Sequence, residues 1–157
     1  MYPDKKFMQM AIDKAYEGVD IGQSPFGACI VKGNNVIACE HNIVWQITDI
    51  TAHAEVQAIR NACKSMNSID LSGCMIYTTC EPCPMCFTAI HWARLDKIIY
   101  GAGIEDAKRF GFNELTVHNH ELKEMGGSNV QIYRDFMSTE CVKLFDYWKS
   151  KNEKGTY

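Results

Sequence analysis

The sequence predicts a single α/β domain in three layers, with helices on both faces of a mixed β-sheet. Segments with helical apolar spacing alternate along the chain with short β-rich runs, the pattern of layered α/β folds. The first two β-rich runs meet at Gly33-Asn34-Asn35, a sequence suited to a tight antiparallel hairpin. No repeat, low-complexity tract or Pro/Ser-rich linker divides the 157 residues, which form one core of ordinary size.

The elements follow in order. Residues 4–20 place Phe7, Met8, Ala11, Ile12, Ala15 and Val19 at helical spacing before Gly22 and Pro25 break the pattern. FGACIVKGNNVIACEHN supplies the two hairpin strands. Residues 52–65 suit a helix, and CMIYTT (74–79) suits a buried strand. CPMCFTAIHWAR (83–94) suits a helix with Met85, Ala89, Ile90 and Ala93 on one stripe, and KIIYGAG is a further short strand. Beyond residue 104 we expect a short helix at 105–110, a polar loop through 111–128, a strand at 129–133 and a helix at 136–151. Gly101-Ala102-Gly103 is too short and too late in the chain for a dinucleotide-binding motif.

Composition narrows the function classes. The formal net charge is −3 and Lys and Arg are not clustered, which disfavours a polynucleotide partner, because phosphate backbones are gripped by basic patches. No apolar run approaches the roughly 18 residues of a membrane span, and MYPDKKFMQM lacks the apolar stretch of a secretory signal. We therefore expect a cytoplasmic protein. In that compartment eight cysteines do not read as a disulfide framework. Cys29, Cys39, Cys63, Cys74, Cys80 and Cys141 are dispersed and read as small buried thiols.

Cys83 and Cys86 are different, because their CxxC spacing points to metal or redox chemistry. Upstream stands His53-Ala54-Glu55, so the chain carries HxE followed by PCxxC, the signature of zinc deaminases. One His and two Cys give zinc three protein ligands and an open fourth position, the arrangement of a catalytic site. Cys83 and Cys86 lie one helical turn apart and His53 begins its own helix, where free N–H groups favour thiolate. Zinc lowers the pKa of a bound water to about 7. Glu55 is placed to reach that water and to shuttle its proton to a ring nitrogen and on to departing ammonia. His41, His91, His118 and His120 lack ligand spacing, and His118-Asn119-His120 reads as part of an exposed loop.

At these residues the chain resembles the cytidine deaminase superfamily, and within it the bacterial guanine deaminases. The resemblance runs nearly end to end. It includes Pro25-Phe26-Gly27, Asn42, Thr51-Ala52-His53-Ala54-Glu55, Thr79-Cys80-Glu81-Pro82-Cys83-Pro84-Met85-Cys86, His91-Trp92-Ala93-Arg94, Gly111-Phe112 and Trp148 leading to Tyr157. It implies a five-stranded sheet between helices, one Zn2+ per chain, and a homodimer that exchanges C-terminal segments, here about 136–157. It further implies that Phe26 and Trp92 wall the base, that Asn42 and Ala54 contact it, and that Tyr157 caps the site from the other chain.

One position departs from the pattern: the family's acidic pair after Gly-Phe is Asn113-Glu114 here. Glu114 can still accept hydrogen bonds from the guanine edge, with its acceptor moved by one methylene. The resemblance thus implies a small-molecule nucleobase substrate, guanine first, with Glu114 beside Glu55 in the catalytic set. Guanosine, ammeline-like triazines, cytosine or cytidine, and tRNA adenosine remain open at this point, as does a non-catalytic zinc-stabilised domain, which would have no use for Glu55.

Overall fold

The computed structural model describes residues 2–151 and 155–157. Helix α1 (Lys5–Asp20) starts where the Asp4 carboxylate accepts from the Lys6 N–H at 2.9 Å, a side-chain N-cap. The expected stripe of Phe7, Met8, Ala11, Ile12, Ala15 and Val19 is its buried face. Strands β1 (Gly27–Lys32) and β2 (Asn35–His41) form the hairpin, with Gly33 at φ 60° in the turn, a conformation glycine adopts without steric cost. There follow α2 (Val44–Ile47), α3 (Ala54–Met66), β3 (Cys74–Cys80), α4 (Pro84–Trp92) and β4 (Lys97–Ala102). The chain continues through α5 (Ile104–Arg109), α6 (Asn119–Gly126), β5 (Gln131–Tyr133) and α7 (Ser138–Lys151).

The strands form one five-stranded sheet in the order β2-β1-β3-β4-β5. β1 runs antiparallel to both β2 and β3, while β3, β4 and β5 are mutually parallel, so the sheet is mixed as expected. Strand periodicity sorts the side chains to two cores. Cys29, Val31, Met75 and Tyr77 face the core made with α1 and α7, whereas Ala28, Ile30, Cys74 and Ile76 face the one made with α3 and α4. Each fully buried Leu or Ile in these layers, such as Ile76 or Leu144, contributes about 1.5–3 kcal/mol relative to exposure. A Cβ on Gly101 would overlap the Cys141 thiol, so that glycine serves the close approach of α7 to β4.

Three details differ from expectation. The stretch 111–128 is not all loop, because 119–126 form α6. The four-residue α2 was not foreseen, being too short to show a period. Of the stripe expected on α4, Ile90 and Ala93 are buried and Ala89 is half-buried, but Met85 turns outward, and Cys86 and Phe87 face inward in its place. Of the six dispersed cysteines, Cys29, Cys74, Cys80 and Cys141 are buried and Cys39 and Cys63 half-buried.

Two features of this architecture place the site. The parallel strand β3 ends at Cys80 and passes through Glu81 and Pro82 into α4, at the carboxyl edge of the sheet where α/β folds bind ligands. At the other end of the chain, Tyr147 Oη and Lys151 Nζ both donate to Asp20 Oδ1, at 2.6 and 2.8 Å, and tie α7 to α1. Residues 152–154 of the segment expected to exchange lie outside the described residues.

Candidate active site

Two helix starts meet at this edge. His53 is the N-cap of α3 and Cys83 the N-cap of α4, whose first residue is Pro84, a position that needs no N–H. Cys83 Sγ lies 3.7 Å and Cys86 Sγ 3.6 Å from His53 Nδ1. Tetrahedral zinc, with Zn–S about 2.3 Å and Zn–N about 2.0–2.1 Å, sets sulfur–nitrogen edges of about 3.6 Å. The triad therefore fits the ion in both donor chemistry and spacing.

Charge is arranged to match. The Cys83 thiol is pulled down to about 4, first by the hydrogen bond from Cys86 and then, against burial, by His53. Cys86 is pushed well above the usual thiol range by Cys83 and by burial. Burial opposes a charge on His53, but Cys83 and Glu55 outweigh it and raise its pKa. Glu55 is 7% exposed and bonded to the Cys86 thiol, and burial pushes its carboxyl up to about 7. A carboxyl poised near neutrality can both take and return a proton.

The space in front of these groups has two compartments. The inner one, about 20 Å³, is bounded by Phe26, His53, Glu55, Cys83, Glu114 and Tyr157. That is room for about one water. The outer one, about 250 Å³, opens past Ile50, Met85, Asn113 and Leu115. Neither is lined by Lys or Arg among the described residues.

Glu114 borders both compartments, and burial, helped by the nearby Cys83 charge, raises its carboxyl to about 6. Its loop is held to the chain end by a bond from Asn113 N–H to the Tyr157 carbonyl at 3.0 Å. Phe26 stands edge-on to Phe112 at 5.0 Å and lines the inner compartment. Asn42 is fully buried, its Oδ1 accepting from Val44 N–H at 3.0 Å and its Nδ2 donating to Tyr157 Oη at 2.6 Å. A base bonded to the Asn42 amide would have to displace that hydroxyl. Ala54 has its methyl in the core, which leaves only its backbone to meet a ligand.

Tyr157, expected to cap the site from the other chain, lies over the site within the single chain described, with its ring 5.8 Å from that of His53. Trp92 does not wall this pocket. It ends a nine-residue helix that begins beside Cys83, so the 1.5 Å rise per residue carries it about 12 Å away. There it is 78% exposed and borders a separate hollow with Ile69 and Asp70.

Other residues near the site carried no clear signal in the sequence. His118 is not in an exposed loop but caps α6 and bonds to the buried Glu81. The apolar rim of Ile50 and Leu115 had no periodic signal to reveal it, whereas Glu81 stood inside the quoted motif without a role.

The description "Cytidine and deoxycytidylate deaminase zinc-binding region" matches residues 1–102, which contain His53, Glu55, Cys83 and Cys86. The chain belongs to this deaminase family. It is 40% identical over 152 residues to the guanine deaminase of Bacillus subtilis, with 96% of this chain and 97% of that protein covered. A tRNA-specific adenosine deaminase of Aquifex aeolicus is 42% identical over 96 residues, covering 61% of this chain and 64% of that protein. A solved structure of guanine deaminase from Bacillus subtilis superposes with a TM-score of 0.70 at 38% identity, covering 99% of each chain. This deaminase is thus a zinc-dependent aminohydrolase of α/β/α architecture, with His53, Cys83 and Cys86 positioned for the ion.

Proposed function

We propose that the enzyme hydrolyses free guanine to xanthine and ammonia. The observation that carries this reading is the pocket itself: a carboxylate, Glu114, faces the metal triad across a compartment with an apolar rim and no cationic lining among the described residues. Guanine presents adjacent N1–H and amino donors, which a carboxylate accepts. A nucleotide or tRNA phosphate finds no Lys or Arg among the described residues at the mouth to neutralise it. Similarity to the Bacillus subtilis guanine deaminase over nearly the whole chain supports the same substrate.

His53, Cys83 and Cys86 would hold the zinc ion, which when bound would supply an acidified water at neutral pH. Glu55 would take a proton from the attacking water as its oxygen bonds to C2 of guanine, and pass it to a ring nitrogen. It then carries the second water proton to the amino group, and the C2–N bond breaks to release ammonia. Phe26 packs against the ring, Glu114 fixes its donor edge, and Tyr157 covers it from solvent. The enzyme works in the cytoplasm, a compartment in which eight unpaired cysteines stay reduced. It forms a homodimer in which exchange of segment 136–157 would bring a second Tyr157 to the anchors offered by Asn42 and Asn113. The exposed Trp92 is suited to such an interface.

Ammonia release from guanine, guanosine, GMP, cytidine, ammeline and a tRNA anticodon stem-loop tests the substrate. Guanine should lead by at least about 10²-fold in kcat/KM, as expected of a site that pairs with its substrate's donors. Faster turnover of cytidine or of the stem-loop would overturn the assignment.

A further inference from the structure

Glu81 is a carboxylate beside the reaction centre that the reaction does not use. It is 4% exposed and stands in the turn between β3 and α4, two residues before Cys83. A buried carboxylate in this position could be a ligand, a base or a brace. It is not part of the group of His53, Cys83 and Cys86. It borders the inner compartment, but each oxygen accepts a bond from the start of α6: Oε1 from Asn119 N–H at 2.8 Å and Oε2 from His118 Nδ1 at 3.1 Å. Asn119 also donates from Nδ2 to the Pro82 carbonyl at 2.6 Å.

His118 and Asn119, at the start of α6, thus clamp Glu81 and Pro82 of the turn. The Glu81 N–H adds a bond to the Ala102 carbonyl at 2.8 Å, which pins the turn to the end of β4. On its own side α6 is secured by the Glu121 carboxylate, which accepts from His118 N–H at 2.8 Å, and by Leu122 packed on the core. The Asn119 carboxamide keeps its bond to Pro82 although its Oδ1 stays buried without a partner. The Cys83 side chain is turned toward His53 and accepts from Cys86, while its carbonyl accepts from Phe87 N–H at 2.9 Å. The start of α4 and the turn that precedes it thus set its position together. The positive end of α6 also suits the Glu81 charge.

We propose that Glu81, His118 and Asn119 are positioning residues of the metal site, a brace through which α6 holds the Pro82–Cys83 turn and sets Cys83 opposite His53. The inference rests on the zinc reading of the triad. Bonds of this kind, one layer behind the ligands, are typically worth 10–100-fold in metal affinity.

The test is zinc transfer from the loaded protein to a chromophoric chelator, alongside the visible spectrum of the cobalt-substituted protein and far-UV circular dichroism. Wild type should hold one zinc per chain. His118→Ala and Asn119→Ala should each weaken zinc by about 10–100-fold and shift the cobalt–thiolate band, with the helix signal unchanged. His118 is half-buried, so its truncation spares the core, and His118→Asn, which keeps a donor toward Glu81, should restore wild-type affinity. Unchanged zinc affinity and cobalt spectrum in both alanine variants would overturn the brace alone. Failure of the wild type to take up zinc would instead overturn the reading of the triad, and the brace with it.

Discussion

His53, Glu55, Cys83 and Cys86 leave the starts of two helices packed on one face of the sheet, whereas Asn113, Glu114 and Tyr157 come from a loop and a chain end. The first group is set by helix geometry and by burial as deep as 0% exposure at Cys86. The second is held by two hydrogen bonds, Asn113 to the Tyr157 carbonyl and Asn42 to the Tyr157 hydroxyl, and by packing of the Tyr157 ring on Phe112, beside a rim where Leu115 is 67% exposed. The metal chemistry is thus built into rigid elements, and substrate choice is left to parts that can change without disturbing it.

Substitutions should separate the two halves by the size and kind of their effects. The largest belongs to the rigid half: His53→Ala should lose stoichiometric zinc by elemental analysis and all measurable deamination. Retained zinc would remove His53 from the ligand set. Glu114→Gln should keep zinc and lower kcat/KM for guanine by about 10²-fold, through loss of charge-assisted hydrogen bonds. Glu114 also predicts a pH effect. Its ionised form is the acceptor and burial raises its carboxyl to about 6, so KM for guanine should climb as pH falls through about 6 in the wild type. In Glu114→Gln that climb should vanish, and its persistence would assign the titration to another group.

Smaller effects probe the lid. Tyr157→Phe removes one bond to Asn42, worth about 1 kcal/mol, and should raise KM by about fivefold with little change in kcat. Trp92→Ala should alter steady-state turnover of the isolated chain by less than about twofold, since such exposed positions touch no reacting group. A larger loss, accompanied by a change in mass by light scattering, would place Trp92 at the site of a partner chain.

The same division explains what could be read in advance. Helix α1, the hairpin and the buried strands announce themselves by period, and HxE with PCxxC names the ligands because Cys83 and Cys86, one helical turn apart, face one way. Helix α6 does not, since NHELKEMG offers only Leu122 and Met125 as apolar residues and Met125 is 84% exposed. Its start is fixed by Asn119 bonding to Glu81, a contact across 38 positions that no local pattern carries. Trp92 was misplaced for a related reason: a motif gives the order of residues, but the rise of α4 decides which of them stay beside the metal. The Tyr157 lid depends on where a chain end returns, which spacing cannot specify.

Glu55→Gln tests the central claim most directly, because it removes the proton carrier and leaves the ligands untouched. The account predicts one zinc per chain by elemental analysis and ammonia release from guanine reduced by about 10²–10⁴-fold. Turnover equal to wild type with zinc in place would contradict the role assigned to Glu55.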